Sequence, residues 1–79
     1  MSEDLLVNLV GDAGKARVVV MRAIGRIDDA AGSEGRKGRR QLRDLGHQLT
    51  MVNNELGRVI YQLRAMIEEI HARAGEGTQ

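Results

Sequence analysis

A chain of 79 residues with no cysteine, no proline and a formal net charge of +1 has room for one small domain. Without cysteine it has no disulfide or cysteine–zinc staple, and with a single Tyr61 and no Phe or Trp its core depends on aliphatic residues. We expect an all-α protein that gains buried area by self-association.

The first predicted helix runs from about residue 3 to 31. Ser2 is a candidate N-cap, and Glu3 and Asp4 place negative charge in the first turn, where it complements the helix dipole. Lettering the heptads a to g, the a positions are Leu6, Ala13, Val20 and Ile27, and the d positions are Leu9, Ala16, Ala23 and Ala30. Because the d row is small from Ala16 onward, the pattern predicts a close approach of a second helix.

A second stripe of small and apolar residues follows the other side of this helix, at positions that are normally polar. This glycine stripe consists of Val7, Gly11, Gly14, Val18, Met21 and Gly25. Each glycine inside a helix costs roughly 1 kcal/mol relative to alanine, so the stripe predicts close approach there and a first helix buried on two faces. The alternative is that Gly11 and Gly14 end a short first helix, which leaves a chain of three helices.

The second predicted helix runs from about residue 38 to 73, after a turn at about 32–37 and before a tail over 74–79. Gly32 is a candidate C-cap of the first helix, and Ser33 is a candidate N-cap of the second. Every a and d position is apolar: Leu42, Leu49, Leu56, Leu63 and Ile70 at a, and Leu45, Val52, Val59 and Met66 at d. The chain is therefore predicted to be one domain, an antiparallel helical hairpin with coiled-coil-like heptads that assembles into a helical bundle as a homo-oligomer.

The difference in length between the two predicted helices indicates where partners bind. The second helix is longer by about 10 to 16 Å at 1.5 Å per residue, so we expect Met66, Ile67 and Ile70 to extend beyond the first helix. The predicted oligomer or partner interface comprises Val18, Met21, Leu56, Val59, Ile60, Leu63, Met66, Ile67 and Ile70.

No residue pattern in the chain is typical of catalysis or of metal or cofactor binding. His47 and His71 lie about 36 Å apart along one helix, so they cannot share a metal ion within a chain. The segment 10–16 lacks the spacing and the Ser or Thr of a phosphate-binding loop. We expect a non-enzymatic protein without a cofactor. Charged residues interrupt every apolar stretch, which favours a cytoplasmic protein without a membrane partner.

Positive charge is concentrated at the start of the second predicted helix. This basic cluster consists of Arg36, Lys37, Arg39, Arg40 and Arg43. Its position opposes the helix dipole, and a phosphate-bearing partner would offset that cost. The competing interpretations are neutralisation by Asp28, Asp29 and Glu34, or an acidic protein partner. A second candidate anion contact is Tyr61, which lies between Arg58 and Arg64 and is suited to stacking on a base.

These patterns favour a homo-oligomeric helical module of the adaptor or inhibitor type, which binds a protein partner through apolar helix faces. The alternative is an oligomeric protein that sequesters a nucleotide or nucleic acid through the basic cluster and the Tyr61 face.

Overall fold

The computed structural model describes residues 2–77 and consists of two α-helices. The first, α1, spans Glu3–Ala31, and the second, α2, spans Arg36–Gly77. No strand occurs in this part of the chain, and the two helices pack against each other as a hairpin. The prediction of an all-α helical hairpin is confirmed.

The first helix is continuous from its N-cap to the turn. Ser2 Oγ accepts a hydrogen bond from the Leu5 backbone N–H at 3.2 Å, as expected of an N-cap. The helix continues through Gly11 and Gly14, so the three-helix alternative is wrong.

The turn differs from the sequence prediction in the role of one residue. Gly32 occupies the C-cap of α1, and its backbone N–H donates to the Ala30 carbonyl. Ser33 Oγ also donates to the Ala30 carbonyl, at 3.1 Å, so Ser33 helps to end α1 and is not the N-cap of α2. The second helix begins at Arg36, inside the predicted turn, and continues to Gly77, through part of the predicted tail. Residues 78 and 79 of that tail lie outside the described residues.

Three contacts fix the antiparallel pairing of the helices. They join Glu3 to His71, Arg17 Nε to Asn53 Oδ1 at 3.3 Å, and Ile27 to Gly46, where an added Cβ atom would lie 3.6 Å from Ile27 Cγ2. Equal steps along the two helices from this last contact place Ala31 level with Leu42, and Val19 level with Asn54.

The expected overhang of Met66, Ile67 and Ile70 is wrong. The contact between Glu3 and His71 shows that α1 extends past all three, and each is only partly exposed. The extra length of α2 is divided between its two ends, because residues 36–41 extend beyond the last turn of α1 and residues 72–77 extend beyond its first.

The contact between the helices is rotated relative to the predicted a and d rows. The less exposed residues recur at a and, four residues after each a, at e. They include Leu6, Val10, Ala13, Arg17, Val20, Ile24 and Ile27 in α1, and Leu42, Gly46, Leu49, Asn53, Leu56, Ile60, Leu63, Ile67 and Ile70 in α2. Leu9, Leu45, Val52 and Val59, which the pattern places at d, are exposed instead.

Two helices alone give this chain very little core. Among the described residues, Leu6 is the one hydrophobic side chain that is buried, at 0% exposure. The molecule is a rod of 66 × 14 × 14 Å with a radius of gyration of 18.5 Å, whereas a compact domain of this length has a radius of about 12 Å.

Candidate interaction surfaces

The exposed d rows of the two helices lie on the same side of the hairpin. Near the turn, one groove is lined by Asp28 from α1 and by Arg43 and Thr50 from α2, all at position b. In each helix, b and d flank the a–e contact on opposite sides. In an antiparallel pair the same letter of both helices falls on the same side, so both d rows lie on the side away from this groove.

Six large apolar side chains are concentrated on that side, at d and at the adjacent position g. They are between 36% and 61% exposed. This apolar face consists of Leu5, Leu9, Val19, Leu45, Val52 and Val59. Neither helix covers these side chains, and exposed apolar side chains grouped on one side of a protein are typical of a protein–protein contact.

The glycine stripe forms a second uncovered surface, on the opposite side of α1 from the apolar face. Its Val18 and Met21 are at least half exposed. A Cβ atom added at Gly11, Gly14 or Gly25 would meet nothing within 4 Å. The packing of α1 on α2 therefore does not require glycine at these positions.

The predicted interface residues do not form one surface. Most of those in α2, from Leu56 to Ile70, are partly covered by α1. Val59 belongs to the apolar face, whereas Val18 and Met21 belong to the glycine stripe. The predicted interface does not include the other five residues of the apolar face. Leu9, Leu45 and Val52 were predicted at d, in the contact between the helices, and apolar residues at g beside that row were a signal for Leu5 and Val19.

The basic cluster begins α2 without a carboxylate partner. Residues 2–75 contain two ion pairs, Arg58 with Glu55 at 3.6 Å and His71 with Glu3, and neither involves the cluster. The interpretation that Asp28, Asp29 and Glu34 neutralise it by direct pairing therefore gains no support. The first turn of α2 also contains no acidic residue.

Within the basic cluster, Arg39 has a structural role. Its guanidinium donates to the Ala31 carbonyl and to the Glu34 carbonyl, each at 3.4 Å. A cation at this point complements the negative end of the α1 dipole and satisfies a carbonyl that has no helical partner. Arg39 therefore ties the turn to α1 and is a poor candidate for an independent anion contact.

The structure separates the two parts of the predicted anion site. Tyr61 is 78% exposed, but it lies 18 residues beyond Arg43 on the same helix, about 27 Å away. Arg58 beside it pairs with Glu55, and Arg64 is exposed. One chain cannot bring Tyr61 and the basic cluster to the same small ligand.

Neither histidine belongs to a recognisable chemical site. His47 lines the groove near the turn beside Thr50, whose hydroxyl donates to the Gly46 carbonyl at 2.9 Å. No group of three or more His, Cys, Asp or Glu side chains within residues 2–77 is placed to hold a metal ion. Over the same range, neither helix combines the length and the apolar composition that a membrane span requires.

Comparisons with known protein families, with curated proteins and with solved structures found no match to this chain. A proposal on its function must therefore rest on the two uncovered surfaces and the basic cluster.

Proposed function

We propose that this chain is a non-enzymatic helical protein-binding module that forms a homo-oligomer through its apolar face. The observation that carries the proposal is the apolar face itself, to which both helices contribute large side chains. Among the described residues, Leu6 is the one buried hydrophobic side chain, so the hairpin has little core of its own. Side chains at d on both helices are the residues that coiled-coil-like packing of four helices would cover.

The surface area of the chain supports self-association. Its accessible surface is 6353 Å², whereas a compact monomer of 8.7 kDa exposes about 4,700 Å². The excess of about 1,600 Å² is larger than the roughly 800 Å² that each partner contributes to a standard interface. A dimer with an interface of standard size would therefore remove about half of the excess.

We assign the glycine stripe to the binding of a protein target, on which this chain would act as an adaptor or inhibitor. Three helical glycines cost roughly 1 kcal/mol each relative to alanine, and α2 does not require them. Close approach of a target helix, with Val18 and Met21 as apolar contacts, would offset that cost. We place this activity in the cytoplasm, because charged residues interrupt every apolar stretch of the chain.

Two adjacent residues of α2 provide the test. Val52 lies on the apolar face, whereas Met51 is also exposed but lies on the outer side of the helix. We expect the wild type and Met51→Lys to sediment as the same oligomer and Val52→Lys to shift towards monomer. Sedimentation should be recorded with interference optics, because a protein with one Tyr and no Trp absorbs little ultraviolet light near 280 nm. A monomeric wild type, or equal behaviour of the two variants, would overturn the proposal.

A second candidate function rests on the basic cluster. Arg36, Lys37 and Arg40 have no carboxylate partner in the described part of the chain, and they lie at the positive end of the α2 dipole. An oligomer would bring several such clusters to one phosphate-bearing ligand, and binding of this kind depends strongly on salt.

A further inference from the structure

We infer that the apolar face packs against the apolar face of a second copy of the chain. The two copies are related by a two-fold axis that crosses the helices at right angles, level with Val19. In this arrangement α1 of one copy lies against α1 of the other, the helices run antiparallel, and the two turns lie at opposite ends. The inference rests on the proposed self-association and specifies its partner and geometry.

The charges that border the apolar face support this axis. Asp12 and Arg26 are exposed residues of the g row of α1, seven residues before and seven residues after Val19. Neither side chain makes an ion pair or a hydrogen bond with any other residue of the described chain. A two-fold axis at Val19 places Asp12 of each copy beside Arg26 of the other, so the dimer contains this opposite-charge contact twice.

Residue size along α1 agrees with the same axis. An axis level with Val19 places Ala16 of one copy within one residue of the level of Ala23 of the other, in the d row that would form the centre of the contact. Two alanines facing each other allow the two α1 helices to approach closely. The small d row that the sequence shows in α1 thus has a partner of matching shape in a second copy of itself.

Apolar residues of α2 lie near this axis as well. Val19 is level with Asn54, so the axis passes two residues from Val52 and five residues from Val59. Val52 of one copy therefore lies near Val59 of the other across the contact, with an offset of about 4.5 Å along the helices. Both helices of the hairpin therefore contribute symmetric apolar pairs to the contact.

The opposite arrangement, with parallel copies and α1 of one against α2 of the other, matches the charges less well. In that arrangement Gln62 of the second copy is the g-row residue of α2 nearest in level to Asp12, and Gln48 is the one nearest to Arg26. Neither charge would meet an opposite charge. The antiparallel arrangement does bring Glu55 of the two copies together near the axis, but Glu55 is already paired with Arg58 in its own chain at 3.6 Å.

Exchange of the two charges tests the proposed contact. Asp12→Arg alone or Arg26→Asp alone creates a like-charge contact twice per dimer, so we expect each to weaken dimerisation roughly tenfold. The double variant restores opposite charges and should return to within about twofold of the wild type. Sedimentation equilibrium measures all four dissociation constants.

A matched control is available on the solvated side of α1. Lys15 and Asp29 have opposite charges and the same spacing as Asp12 and Arg26, but both lie at position c, away from α2 and the apolar face. Lys15→Asp and Asp29→Lys, alone or together, should leave the dissociation constant unchanged. Single Asp12 or Arg26 variants that dimerise like the wild type, or a double variant no tighter than the single ones, would overturn the arrangement while the dimer itself stands.

A distance measurement gives an independent test. The chain contains no cysteine, so Ser33→Cys provides one spin-label site per copy in the exposed turn. Ser33 lies 14 residues beyond Val19, so the two labels should be about 40 Å apart by double electron–electron resonance. A separation below about 20 Å places both turns at one end and overturns the antiparallel arrangement alone. The absence of any dipolar coupling shows a monomer and overturns the proposed function with it.

Discussion

Replacement of the glycines of the stripe by alanine should stabilise the protein when no target is present. At Gly11, Gly14 and Gly25 an added Cβ atom meets nothing within 4 Å, so alanine introduces no clash. Each change removes the helical cost of glycine, roughly 1 kcal/mol. None of the three has a positive φ angle, so the backbone conformation suits alanine as well.

Gly25 lies about three turns beyond Gly14, so its effect should be independent of the other two. Gly11 and Gly14 are only three residues apart, but a Cβ atom added at either meets nothing within 4 Å, so we expect their effects to add as well. The triple variant should gain about 3 kcal/mol in the free energy of unfolding, which raises Tm by more than about 10 °C for a domain of this size. Urea and thermal unfolding followed by far-ultraviolet circular dichroism measure both quantities. Wild type and variant must be compared at equal protein concentration, because association stabilises the folded state.

A matched control lies in the first turn of α2. A Cβ atom at Gly38 would lie 3.2 Å from Glu34 Cβ and 3.0 Å from Glu34 Oε2, so Gly38→Ala requires Glu34 to move and should gain less than Gly25→Ala. Destabilisation of the protein alone by the triple change would show that the glycine stripe already packs closely in the homo-oligomer. That result would refute its assignment to a separate target.

Two further predictions concern the core and the basic cluster. Leu6→Ala should lower the free energy of unfolding by about 2 to 5 kcal/mol, whereas Val7→Ala, at an exposed neighbour, should lower it by less than about 1 kcal/mol in the same urea titration. If the second candidate function holds, a fluorescently labelled single-stranded RNA should bind with an affinity that falls steeply with salt, as measured by fluorescence anisotropy. The double change Arg36→Glu with Arg40→Glu should abolish the increase in anisotropy. A wild type that gives no increase at low salt removes that candidate.

The bounds of α1 were predictable because local signals set them. Ser2 supplies an oxygen for the free N–H groups of the first turn, and Gly32 is the first of several residues that break the apolar pattern. The sequence alone did not decide whether α1 continues through Gly11 and Gly14, because glycine lowers helix stability whether or not it ends the helix.

The side on which the helices meet was not predictable from either helix alone. In α2, the apolar residues at a are flanked by apolar residues at both d and e, for example Val59 and Ile60. Either the a and d rows or the a and e rows could therefore form the contact with α1. The choice is made by α1, where the d row is mostly alanine but the e row contains Val10 and Ile24. Contact through e covers these larger side chains, and it leaves the d residues Leu9, Leu45, Val52 and Val59 exposed.

The position of the helix ends depended on the turn. The prediction from sequence assigned the whole difference in length to the C-terminal end of α2. It assumed that α1 ends and α2 begins at the same level. Residues 32–35 connect the two helices, and α2 begins at Arg36, beyond the end of α1. Because Ala31 is level with Leu42, the first residues of α2, 36–41, have no part of α1 beside them. The overhang beyond Glu3 is shortened accordingly.

The distribution of polar residues on α1 connects the two proposed contacts. Only one stripe of this helix is uniformly polar, formed by Asn8, Lys15, Arg22 and Asp29 at position c. A helix that is polar on so narrow a stripe is typical of the interior of a bundle, yet α2 covers only the a and e rows. A second α1 against the d row and a target helix against the glycine stripe would enclose α1 on three sides and leave position c in solvent. The outer surface of α2 is polar at b, f and g, and on this proposal it forms the outside of the assembly.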